Sequence, residues 1–318
     1  MQRNTLFPLT LSALSFALLS GCSGGGSSGI TPPPPPQDIT LNADNYDDIA
    51  IGVSNQLDDF IQSLRTPLAA NDSAGLMQAV LVQGVQTLLP DDAGQQAIAD
   101  LVINQQACNS GVMNTDTDNG VRYQFNACVK NGYTFDGELG YTPGTDHQAS
   151  LNYNNLKAEF KQDEQDQWIT LHGTKTLTLT MEPANQRVRS EVSAGDLVAS
   201  NPEGRSTQRQ GYTQDYTRIG TEWRLSVNGT VQLTMNNQQQ AQLQLSSASD
   251  LQGTVDNTQT PPKDQAPMFG DYAIVWNDSQ KIGLNALGNG QINAAFYPQK
   301  DGASDAQFTF WWDRTYPQ

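Results

Sequence analysis

The stretch Trp168-Ile169-Thr170-Leu171-His172-Gly173-Thr174-Lys175-Thr176-Leu177-Thr178-Leu179-Thr180-Met181 decides the fold class. Ile169, Leu171, Leu177, Leu179 and Met181 occupy one parity, and Thr170, His172, Thr174, Thr176, Thr178 and Thr180 the other. A period of two sends the first set into a core and the second toward water, as in a half-buried strand. Val121, Tyr123, Phe125 and Ala127 repeat the pattern, as do Tyr133, Phe135, Gly137 and Leu139. Trp223, Leu225, Val227, Val231, Leu233 and Met235 carry it further, followed by Leu243 and Leu245. Such runs predict an antiparallel sheet with one wet face. Residues 258–267 contain three prolines and read as a linker or long loop. Beyond them Tyr272, Ile274 and Trp276, then Ile282 and Leu284, then Ile292, Ala294 and Phe296, then Phe308, Phe310 and Trp312 form a last strand group, with Gly288-Asn289-Gly290 as a hairpin turn.

The opening stretch has an echo. Trp168 to Thr174 reads W-I-T-L-H-G-T, and Trp223 to Thr230 reads W-R-L-S-V-N-G-T with one extra residue. Phe135-Asp136-Gly137-Glu138-Leu139 and Leu251-Gln252-Gly253-Thr254-Val255 share a shorter core, apolar-x-Gly-polar. A glycine at matching places in several strands predicts bulges or sharp coils in a curved sheet.

Upstream of Cys108 the period is helical. Ile49, Val53, Leu57, Phe60, Ile61 and Leu64 share one face, with Asp44 or Asn45 placed to cap and Asp47 and Asp48 in the first turn. A second helix is predicted from Asp72 or Ser73, with Leu76, Met77, Val80, Leu81 and Leu88 inward, stopping before Pro90. A third starts at Asp91 or Asp92 and carries Ile98, Leu101 and Val102. The expected fold is mainly β: an N-terminal helical subdomain (39–107), an extended curved antiparallel β domain (108–257), and C-terminal strands closing the sheet (258–318).

The first 38 residues concern address. Arg3 precedes an apolar run from Leu6 to Leu19, and Leu19-Ser20-Gly21-Cys22 ends it. The layout is that of a secretory signal, and its exit resembles the lipobox of bacterial lipoproteins. The resemblance implies removal of residues 1–21, fatty acylation of Cys22, and a membrane partner engaged through that anchor. Ser23, rather than Asp, after the cysteine implies the outer membrane, facing the periplasm or the exterior. Residues 22–38 then form a lipid-anchored Gly/Ser/Pro linker, soft from Ser23 to Gly29 and stiff through Pro32 to Pro36. Its reach is about 30 Å, from 5–6 Å × √n for the soft part and 3.1 Å per proline.

Charge narrows the partners. Lys plus Arg number 17 against 33 Asp plus Glu, a net charge of −16. Such a surface repels phosphate backbones, which excludes nucleic-acid binding. A protein or glycan partner in the envelope fits the address. Of three cysteines, Cys22 goes to lipid and leaves Cys108 and Cys128. In an oxidising compartment such a lone pair is expected as a disulfide, worth about 3 kcal/mol for a loop of roughly 20 residues.

No motif carries chemistry. The two histidines are His147, in a turn region near Ser150, and His172, on a Thr-rich strand face. Neither has the spaced partners a metal site or a triad needs. Gly21 to Gly25 matches G-x-S-x-G but lies in the lipobox and tether, not in a strand–turn–helix. Asn114 to Gly120 resembles a calcium loop, yet its sixth residue is Asn119 and its twelfth Phe125, where Gly and Glu are required. A glycan hydrolase needs two carboxylates, so Glu138, Glu159, Asp163, Glu164 and Asp166 are its candidates. Trp276, Trp311 and Trp312 could stack on sugars or plug a core. The expectation is a non-enzymatic envelope lipoprotein with a structural or binding role, without catalytic residues, cofactor or metal. The alternatives are a periplasmic glycan hydrolase, and a lipid or lipoprotein carrier with an apolar concave face.

Overall fold

The computed structural model describes residues 37–38, 40–64, 68, 89, 92–118, 120–144, 148–162, 164–182, 185–192, 197–200, 206–235, 239–260 and 263–312. The signal, most of the linker and the predicted second helix lie outside them. Two helices are described, α1 (Tyr46–Ser63) and α2 (Asp92–Val102). The strands are β1 (Gln37–Asp38), β2 (Ser110–Asp116), β3 (Val121–Lys130), β4 (Tyr133–Pro143), β5 (Gln148–Gln162), β6 (Gln165–Glu182), β7 (Asn185–Val192) and β8 (Leu197–Ser200). They continue as β9 (Ser206–Ile219), β10 (Glu222–Met235), β11 (Gln239–Asp256), β12 (Lys263–Asp264), β13 (Phe269–Trp276), β14 (Gln280–Ala286), β15 (Gln291–Tyr297) and β16 (Ala306–Trp311).

The strands form one long antiparallel meander in the order β16-β15-β14-β13-β11-β10-β9-β7-β6-β5-β4-β3-β2. The short β8 bridges β6 and β9, while β1 and β12 add to β11. The mainly β class expected from the alternation is the class observed. The C-terminal strands depart from expectation. They were to close the sheet, and instead they lengthen it: among the described residues β16 and β2 are its two ends and do not pair.

The bulges sit where the sequence repeats its glycines. The β9–β10 register slips between Asn228 and Thr230, and the β4–β5 register between Asp136 and Glu138. Gly229 and Gly137 stand at those slips with φ of 130° and 90°. A Cβ on Gly229 would lie 2.4 Å from Tyr212 Cα, and one on Gly137 2.2 Å from the Asn155 carbonyl oxygen. Only glycine lets the backbones approach so closely. Gly173, the counterpart of Gly229 in the echo, also has positive φ, 124°.

Helices and sheet share one core. Leu57, Ile61, Leu101, Phe135, Leu171, Trp223, Trp276 and Phe310 belong to a single buried apolar cluster. The described helices of the segment 39–107 thus pack on the sheet through that shared core. α1 packs on β12, β14 and β15. Ser54 Oγ bonds Tyr272 Oη at 2.6 Å, Trp312 Nε1 donates to Asp58 at 3.0 Å, and Tyr46 stacks on Phe296 with centroids 5.6 Å apart. At the other end Tyr123 Oη donates to the Val102 carbonyl of α2 at 3.1 Å. Asn45 takes the N-cap position of α1 but does not cap it. Its Oδ1 accepts from Asn42 N–H and its Nδ2 donates to Thr40 O, so it closes the preceding turn. Residues 258–267 are not a free linker: β12 pairs with β11, and its buried Asp264 accepts a 2.9 Å hydrogen bond from Tyr216 Oη.

Candidate functional site: a polar groove on the outer face

On the face turned away from the core, strands β2 to β6, with β8 and β9, form a groove of about 790 Å³. Alternation builds it. In β4, Leu139 and Tyr141 point inward, which sends Glu138, Gly140 and Thr142 outward. In β5, Tyr153 is buried, leaving Asn152 and Asn154 exposed. In β6, His172 and Thr174 share that outer face. Gly140 stands between Arg122 of β3 and Asn152 of β5, and its missing side chain lowers the floor.

Hydrogen bonds fix the floor. Glu138 accepts at Oε1 from Gln124 Nε2 at 3.0 Å and at Oε2 from Asn154 Nδ2 at 3.2 Å. Thr174 Oγ1 donates to Asn152 Oδ1 at 2.6 Å. At the rim, the Asp118 backbone N–H donates to Asp116 Oδ1 at 3.1 Å, an ordinary Asx-type turn. This is where the calcium-like stretch falls, and it forms the β2–β3 hairpin. Among the described residues no group of three or more His, Cys, Asp or Glu side chains could hold a metal ion. None of the described helices is long and apolar enough to cross a membrane.

The residues singled out in the sequence scatter. Glu138 and His172 reach the groove; Asn154 lies between their strands, which are two spacings or about 10 Å apart. Glu159 is paired with Lys157 elsewhere on β5. Glu164 and Asp166 belong to the exposed β5–β6 hairpin, where Lys161 approaches Asp166 at 3.7 Å. Cys22, His147 and Asp163 lie outside the described residues. Trp276 and Trp312 are buried, whereas Trp311 is partly exposed at the sheet edge. Cys108 and Cys128 form the expected disulfide, with Cα atoms 5.4 Å apart, tying the segment after α2 to β3.

The groove amides Gln124, Asn152 and Asn154 carry no sequence signal of their own. Nor do the polar residues buried on the inner face. Lys175 is 4% exposed, and burial, reinforced by the Arg209 charge, pushes its ammonium down to about 7. Burial raises the hydroxyls of Tyr153 and Tyr212 above the ordinary phenol range.

The chain matches no family model, and no curated protein and no solved structure is significantly similar to it.

Proposed function

We propose that this chain is a non-catalytic binding protein of the bacterial envelope, anchored to the outer membrane through lipid on Cys22, whose outer groove takes a hydroxyl-rich ligand of the glycan class. One observation carries the reading: the groove floor is a hydrogen-bonded lattice of amides and hydroxyls around Glu138. Amide groups offer a donor and an acceptor side by side, which suits vicinal hydroxyls. The hydrolase alternative fares worse. Both Glu138 oxygens already accept amide N–H groups, whereas a general acid must aim a proton at a leaving group. The carrier alternative needs an open apolar face, and α1 covers the inner face of β14 and β15.

A glycan array probed with the mature protein tests the proposal. Binding without turnover is expected, and Asn152→Ala with Asn154→Ala should weaken it by about tenfold or more, since each removes a polar contact worth about 0.5–1.5 kcal/mol. Hydrolysis of a glycan or peptidoglycan fragment that is lost in Glu138→Gln, with the fold intact, would overturn it. For the anchor, Cys22→Ser should release the protein from membrane fractions.

A further inference from the structure

The outer groove is much longer in one direction than in the other. Along the strands, its widest lining stretch is Glu138 to Thr142 of β4, about 13 Å at 3.3 Å per step. Across the strands it runs from Asp116 of β2 through β3, β4, β5, β6 and β8 to Gln208 of β9. Measured along the sheet, that is six strand spacings, or about 29 Å. The long axis follows one row of ladder partners. Asp116 faces Arg122, Arg122 faces Gly140, Gly140 faces Asn152, and Asn152 faces Thr174.

Gly140 stands in the middle of this row. A glycine inside a strand weakens it, and marks a bulge, a close backbone approach or a place where a ligand comes near. The ladders on both sides of Gly140 keep their register from Glu138 to Tyr141, so no bulge lies there. Its φ is not positive. Among the described residues, an added Cβ would come within 4 Å only of Asn152 Cβ, at 3.4 Å, and of the Asn152 carbonyl oxygen, at 3.8 Å. Those are ordinary contacts. Gly283 of β14 differs, because the Tyr297 ring covers it, with Cε2 at 3.3 Å from an added Cβ. What lies over Gly140 is the groove.

We propose that the groove binds a linear, uncharged oligosaccharide laid across the strands, and that the gap over Gly140 seats one of its sugar rings between Arg122 and Asn152. The assignment rests on the glycan reading of the groove and narrows it. Arg122 and Asn152 stand on strands two spacings apart, about 10 Å, which admits one ring edge-on. The full length of the groove takes several rings in a chain. Charge selects among such chains. The carboxylates of Asp116, Asp118 and Glu138 line the groove against the guanidinium of Arg122 and the imidazole of His172, so a chain of uronates is repelled.

Calorimetric titration of the purified mature protein tests this. The probes are β-1,4-linked oligomers of glucose, mannose and N-acetylglucosamine, each as dimer, tetramer and hexamer, beside a hexamer of galacturonate. One neutral series should bind, with affinity rising about tenfold or more from dimer to hexamer as further polar contacts are made, and the galacturonate should bind more weakly. Gly140→Val fills the gap and should weaken the hexamer by about tenfold or more, the equivalent of losing one ring's contacts. If that variant fails to fold, Gly140→Ala decides: it should keep or raise the unfolding temperature, as glycine replacement does where the backbone permits it, and still weaken the hexamer. Equal affinity for dimer and hexamer, tightest binding of the galacturonate, or full hexamer affinity in the folded Gly140 variants overturns the proposal and leaves the glycan reading standing. The same holds if no oligomer binds while the glycan array finds a single or branched sugar. Failure of the oligomers and of the array together overturns both.

Discussion

The indole of Trp223 lies where a side chain on Gly253 would have to go: a Cβ at that position would sit 2.6 Å from both Cε2 and Nε1 of the ring. The two residues are direct partners in the β10–β11 ladder, and Trp223 Nε1 donates to the Gln265 carbonyl at 3.0 Å. Gly253→Ala should therefore push the indole off its platform and break that bond to the crossing segment. A loss of about 1–3 kcal/mol is expected, the usual cost of overpacking, read by urea unfolding with tryptophan fluorescence. A variant as stable as wild type would show that the ring has room to move.

Gly229 makes a different demand. Its φ of 130° and the 2.4 Å approach to Tyr212 Cα set backbone against backbone, with no flexible side chain to give way. Gly229→Ala should cost about 3 kcal/mol or more, combining backbone strain with a steric clash, and should cost more than Gly253→Ala. Denaturant midpoints of the two variants, measured side by side, check the order.

Reduction of the Cys108–Cys128 bridge should lower stability by about 3 kcal/mol. The paired substitution to serine should do the same. Because the bridge ties the segment after α2 to β3, hydrogen exchange should quicken there first. Uniform quickening across β13 to β16 would contradict a local role.

Lys175 gives the fold a pH dependence. Its ammonium is pushed from the ordinary 10.5 down to about 7, by burial first and by Arg209 second. Between those values the unfolded chain keeps the proton and the folded chain gives it up. The unfolded state binds more protons, so stability should climb as pH rises from 7 toward 10, by at most about 1.4 kcal/mol per pH unit. Lys175→Met should remove this slope. The test subtracts variant from wild-type unfolding free energies at pH 7 to 9.5, in chloride and without phosphate, and a flat difference would count against the assignment.

The class of the fold was legible because the alternation from Ile169 to Leu177 and from Trp223 to Leu233 is local, and burial follows it residue by residue. The glycine echo was legible as bulges at Gly173 and Gly229, but it misled at Gly253, which serves as a platform for a ring. The groove was not legible. Gln124 faces Glu138 only because the β3–β4 register slips between Phe125 and Cys128, and Glu138 faces Asn154 across a separate ladder, β4–β5. Such slips depend on pairing and leave no trace in composition. Asp264 was hidden for a similar reason: prolines mark a break in periodicity, not what crosses over the core there.

The seating of α1 has a consequence for the order in which the molecule is made. Nearly every strand pairs with one just before it in the chain, so the meander can zip up as residues appear from the N-terminal side. The first helix cannot follow that schedule. Ser54 meets Tyr272 218 residues later, and Asp58 meets Trp312 254 residues later. The first described helix thus waits for the last four strands to complete its packing. A chain cut short before β13 leaves α1 without β14, β15, Tyr272 and Trp312, which makes the C-terminal sixth of the protein the quality check on its beginning.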